Sequence, residues 1–329
     1  MSGPDPLSGP EPAPRPGLRT FTLEGRAAPG LFLVGWLATI MGGGVLIVAS
    51  LSGVDQTARS ILAFVGLALL SVGLVAGAGS QAMERRARAV DGGYAGPSPF
   101  LAFAAAVPIS LLLILIVVQP IHALGITLGD PAATLLTVSI QGLVYLALIR
   151  LLVVGDGALS WRDMGIGGRP LVPFVEDIAW GVVLAVPVIV VTTLVAAVLF
   201  TVLPVPDSPL PPSGAGAGIL FNLLAAVIVA PVGEELFFRG YATTAWLRAM
   251  SPWAAILRGA LFFAAVHVLT VGGNDFGDAL GRASVAFLTR LPVAITLGLI
   301  FARRRSLAAP IALHATYNGL LFLAQLSAG

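Results

Sequence analysis

The run Ile219-Leu-Phe-Asn-Leu-Leu-Ala-Ala-Val-Ile-Val229 leads through Ala230 into Pro231-Val-Gly-Glu-Glu-Leu-Phe-Phe-Arg-Gly240. Eleven residues with one polar member are followed by three charges, Glu234, Glu235 and Arg239, inside six positions. Such a stretch is long and apolar enough to continue at membrane depth. Ionisable groups there are costly, so they mark a functional site by default. The rest of the chain reads as a helical frame around this cluster.

Working outward, the chain of 329 residues is 57% hydrophobic and only 10% charged. An ordinary soluble domain is about 25% charged. Repeated apolar runs of about 20 residues predict an all-α, polytopic transmembrane helix bundle of about eight to nine spans. No period-two alternation supports a membrane barrel. Candidate spans fall at about 31–52, 58–79, 99–121, 133–154, 176–203, 216–250, 252–271, 284–302 and 307–327. The sixth is longer than a bilayer needs, which predicts a kink or an extension into the interface.

Cysteine is absent, which excludes disulfides, thiolate nucleophiles and iron–sulfur clusters. Every basic residue is arginine, so lysine-based chemistry is excluded too. The net charge of +2 arises from loop arginines and implies no nucleic-acid partner.

The organisation reads as a Pro/Gly-rich cytoplasmic tail (1–29), four leading spans (30–154), an interfacial linker (155–175) and a trailing core (176–329). Arginines fix the orientation. Arg15, Arg19 and Arg26, then Arg85, Arg86 and Arg88, then Arg150, Arg162 and Arg169, then Arg248 and Arg258, then Arg303 to Arg305 fall on alternate connections. The intervening loops are nearly free of arginine, with Arg59 and Arg282 at their edges. By the positive-inside rule the N-terminus is cytoplasmic and the C-terminus outside. The expected location is a bacterial plasma membrane, with the lipid bilayer as the first partner. Gly165-Ile-Gly-Gly168 is no phosphate loop, since neither a strand nor a Lys-Ser/Thr pair frames it.

Three polar pairs at helical spacing carry the chemistry. Glu235 and Arg239 are i, i+4 and can pair, leaving Glu234 about 100° around the helix. Pro231, one turn earlier, predicts a kink beside Glu234. Phe263 and His267 share a face, as do His314 and Asn318. The third histidine, His122, stands beside Pro120 at a span end and reads as interfacial. Arg290 beside Pro292 reads as a side chain reaching toward the outer interface. With a turn at Ser251-Pro252, Glu234 stands about 24 Å above it and His267 about 22 Å, at ~1.5 Å per residue. His314 stands only about 14 Å from Arg305, so the last helix must tilt or start deeper.

Glu234-Glu235-x-x-x-Arg239, Phe263-x-x-x-His267 and His314-x-x-x-Asn318, in this order on three late spans, resemble the CAAX protease and bacteriocin-processing (CPBP, or ABI) family of intramembrane proteases. The resemblance covers about residues 176–327. It implies a helix bundle around a polar cavity open to the cytosol, and an endopeptidase acting on a membrane-associated protein or peptide, lipidated or otherwise membrane-bound. It also implies a role for each residue. Glu234 activates water, His267 helps to hold it, His314 with Asn318 stabilises the oxyanion, and Glu235 and Arg239 orient the site.

Water at neutral pH needs a base or a metal to attack an amide. Two histidines and a carboxylate could hold zinc with one position open. Yet the compact His-Glu-x-x-His pattern is absent, and Glu234 as a metal-free base is the preferred reading. Two other classes fit the residues less well: a non-enzymatic membrane-partner binding or immunity protein, and a proton-coupled transporter.

Overall fold

The computed structural model describes residues 23–88, 93–206 and 216–328; most of the expected tail lies outside them. Nine helices follow one another, with no strand among the described residues. They are α1 (Pro29–Ser50), α2 (Gln56–Arg88), α3 (Pro99–Ala123), α4 (Asp130–Val154), α5 (Leu171–Leu199), α6 (Ala217–Leu247), α7 (Pro252–Val266), α8 (Phe276–Arg304) and α9 (Ala308–Ala328). Seven are long and apolar enough to cross a membrane; the seven are α1 to α6 and α8. The protein is an integral, multi-pass helical membrane protein. The seventh expected span is shorter than its sequence suggests: α7 has fifteen residues and ends at Val266, before His267.

The outer faces carry the signature of a lipid-facing bundle. Ile40, Ile47, Ile61, Leu143, Val183, Leu194 and Val198 are all exposed. Two apolar clusters fill the interior. The larger joins α3, α4, α6 and α7 around Tyr145, Phe237, Phe238 and Phe262. The smaller joins α5, α8 and α9 around Val188, Leu297 and Leu313.

The sixth span is deformed on both sides of its glutamates. Wide π turns at Leu224–Val229 and Leu236–Thr243 flank a short α segment, Ala230–Glu235. The distortion takes the form of these two π turns, with Pro231 in the first turn of the α segment between them. Each π turn frees carbonyls from the usual ladder, and side chains take them up. The Thr243 hydroxyl donates to Phe238 O at 2.8 Å, and Asn318 Nδ2 donates to Ala226 O at 2.8 Å.

The segment between α4 and α5 folds over the arginine-rich end of the bundle. Its Ala158, Leu159 and Met164 are buried against the helices. Gly165, Gly167 and Gly168 all take positive φ, a conformation that glycine adopts without strain. At Gly165 a Cβ would also stand 3.0 Å from Leu307 N, whose hydrogen bond goes to Gly165 O. The glycine motif is thus a turn pressed against the α8–α9 connection. Arg248 bonds both Ala158 O and Asp163. Partial burial pushes the Asp163 carboxyl up, but Ser160 and Arg248 outweigh it and hold Asp163 below the usual carboxylate range. Arg169 and Arg304 converge at 2.6 Å on the buried Asp177.

Ser306 and Leu307 are buried where the α8–α9 turn meets Gly165. The offset expected from helix rise alone does not keep His314 from Glu234: its Nε2 lies 3.9 Å from Glu234 Oε2.

Candidate active site

Glu235 is fully buried and its Oε1 accepts from Arg239 NH1 at 2.8 Å. Arg239, 2% exposed, also donates to Ala294 O on α8 and lies 4.4 Å over the Phe263 ring. Phe263 in turn stacks against His267 at 4.4 Å between centroids and meets His314 at 5.8 Å. The phenylalanine in the Phe-x-x-x-His spacing is therefore the apolar wall shared by the cation and both imidazoles. Glu235 Oε1 takes a second bond, from His314 Nδ1 at 2.8 Å. Among the described residues Glu235 Oε2 has no hydrogen-bond partner.

Glu234 points the other way. Its Oε2 lies 3.7 Å from His267 Nε2 and 3.9 Å from His314 Nε2. A backbone carbonyl only accepts, so His267 carries a hydrogen on Nδ1, bonded to Phe263 O at 2.7 Å. His314 likewise carries one on Nδ1, facing the carboxylate of the Glu235–Arg239 pair. Both Nε2 atoms are left to Glu234 and to whatever stands beside it.

Glu234 and His267 line a cavity of about 790 Å³. Phe103, Tyr145 and Phe238 make its floor, and Gln141, Thr192, Thr193 and Thr289 give it polar walls. Arg290 lies in that wall too, its NH1 on Ala286 O at 2.8 Å. The side chain does reach back toward the arginine-poor end, as expected, but along the cavity wall. Asn318 is not among the cavity-lining residues, and its amide nitrogen is engaged by Ala226. His122 is exposed at the end of α3, away from the cavity.

Sequence reasoning missed the contribution of α4. Gln141 and Tyr145 both line the cavity, with Gln141 Nε2 on the Tyr145 hydroxyl at 2.9 Å. Their i, i+4 spacing inside an apolar span was the available signal. Gly142 lets α4 approach: a Cβ on Gly233 would stand 3.1 Å from Gly142 Cα, directly beside Glu234.

Two imidazole nitrogens and a carboxylate oxygen are donors that zinc accepts. A tetrahedral zinc with bonds of about 2.0–2.1 Å would hold them about 3.3–3.4 Å apart. The observed 3.7 and 3.9 Å are wider. Among the described residues no group of three or more His, Asp or Glu side chains is disposed to hold a metal ion. As they stand, the three groups do not form a zinc shell.

Residues 216–320 match the family described as type II CAAX prenyl endopeptidase Rce1-like. This region is similar to that family. It takes in α6, α7, α8 and most of α9, and with them all six candidate residues. Residues 1–215 lie outside the match. No curated protein and no solved structure matches the chain. The match spans about a third of the chain, and the family that the region resembles is one of endopeptidases.

Proposed function

We propose that the protein hydrolyses a peptide bond of a membrane-associated protein or peptide, with Glu234 as the base that activates water. The observation that carries this is the convergence of Glu234 with the Nε2 atoms of His267 and His314 beside a cavity large enough for a peptide segment. The separations exceed hydrogen-bond length, so a water from the cavity can bond the carboxylate and an imidazole together.

Glu234 takes one proton from that water as its oxygen adds to the amide carbon. His267, held by Phe263 O, orients the water. A protonated His314 donates from Nε2 to the oxyanion, and Glu235 supports its positive charge through Nδ1. Glu234 then returns the proton to the leaving amine as the C–N bond breaks. Asn318 is a positioning residue in this scheme. It ties α9 to the π turn of α6 and so sets the height of His314.

The test uses purified protein in lipid nanodiscs with a library of internally quenched peptides. His314→Ala and His267→Ala are each expected to lower kcat by about 100- to 1,000-fold, the typical loss for one oxyanion donor or proton-transfer partner. KM should change little. Turnover above one-tenth of wild type in both variants would sink the scheme. Proton flux in liposomes without cleavage would point to a transporter instead.

A further inference from the structure

Beyond the reaction itself, the structure bears on which side of the membrane supplies the substrate. One end of the site is closed. From Glu234 toward the arginine-rich connections, Phe237, Phe238, Tyr241 and Met164 succeed one another, each 2% exposed or less. Beneath them, Tyr94 and Tyr241 both donate to Pro97 O, at 2.8 and 2.9 Å, and stand 3.3 Å apart. Burial pushes the Tyr94 hydroxyl well up, so it stays a neutral donor in this plug. The 155–170 segment covers the plug, bound through Gly165 O to Leu307 and through Asp163 to Arg248.

Among the described residues the other end is open. Three helices line the cavity with rows that climb away from the plug. They are Thr192, Ala196 and Phe200 leaving α5, Tyr317, Leu321 and Gln325 on α9, and Arg290 and Ala286 on α8. The rows reach the exposed Thr270 and Gly272 after α7. These connections at 200–206 and 267–275 contain no arginine. The resemblance drawn from sequence implied a cavity open to the cytosol. The lining residues instead lead to the face opposite the arginine-rich loops.

Arginine-rich loops stay on the cytoplasmic side. We infer that the catalytic cavity opens to the extracytoplasmic side, and that its substrates are peptide segments or membrane-protein ends presented there. The inference rests on the peptide-hydrolase reading for the word substrate, but the access route can be tested without any cleavage.

The chain has no cysteine, so single cysteines can be added to the full-length protein without background. Thr289→Cys lies in the cavity wall, Gly272→Cys at its mouth and Arg162→Cys on the exposed covering segment. Each variant is expressed in bacterial cells and treated with a membrane-impermeant maleimide. In intact cells, Thr289→Cys and Gly272→Cys are expected to label at least tenfold more than Arg162→Cys, which labels only after permeabilisation. Gly272 faces open space and its φ is ordinary, so that variant keeps the test alive if Thr289→Cys fails to fold. Labelling of Arg162→Cys alone in intact cells, or of the cavity positions only after permeabilisation, would overturn the inference. Correct labelling with no cleavage of any peptide would instead count against the hydrolase reading and leave the access route standing.

Discussion

Replacing Glu234 with glutamine is expected to lower peptide hydrolysis by at least about 100-fold, within the range of about 100- to 10,000-fold for loss of a general base. Glutamine keeps the size and the hydrogen-bonding reach of the side chain but cannot take a proton from water. The fold should tolerate it. Glu234 is outside the buried ion pair: Arg239 is bonded to Glu235, and the nearest ring nitrogens to Glu234 are 3.7 and 3.9 Å away. The variant should therefore insert, purify and unfold like wild type while its kcat falls. Equal losses of kcat and of folded protein would show that Glu234 serves the structure, not the reaction.

The opposite pattern is expected five residues along, at Arg239. Arg239→Met leaves Glu235 fully buried with one donor, His314, and no counter-charge from its own helix. Removing one partner of a buried pair typically costs about 3–5 kcal/mol. The change also cuts the bond to Ala294 O that ties α6 to α8. The double variant Glu235→Leu/Arg239→Met removes both charges and should recover much of that stability. It should not recover activity, because His314 loses the carboxylate on its Nδ1. Thermal unfolding in detergent, with cleavage measured in parallel, separates the two effects. A stable single variant would mean that the pair does not hold the site together. An active double variant would remove Glu235 from the account of His314.

The helices were legible in the sequence because hydropathy runs report burial in lipid directly. The nine apolar stretches correspond to nine helices. The Glu235–Arg239 bond was legible as well, since i, i+4 spacing fixes neighbours on a helix whatever surrounds it. Three features were not. The π turns around Glu234 and Glu235 leave no local signature that separates them from a proline kink. The start of α9 is tied to Gly165, a contact between segments about 140 residues apart that no local spacing reports. The place of Asn318 follows from the first π turn, whose freed Ala226 carbonyl claims its amide. The cavity beside Arg290 was hidden for a similar reason. The helix position of Arg290 fixes a depth near the middle of α8, but only the packing of α5 and α9 shows that its side faces a cavity and not lipid.

The central claim is that Glu234 works with two imidazoles in a cavity to hydrolyse amides. Its most direct test is a mass-spectrometric survey of peptide termini in membranes from cells carrying the wild-type protein or Glu234→Gln at equal abundance. The account predicts new termini, in membrane-associated or extracytoplasmic segments, that appear with the wild type and vanish with the variant. An identical set of termini from the two membranes would contradict it.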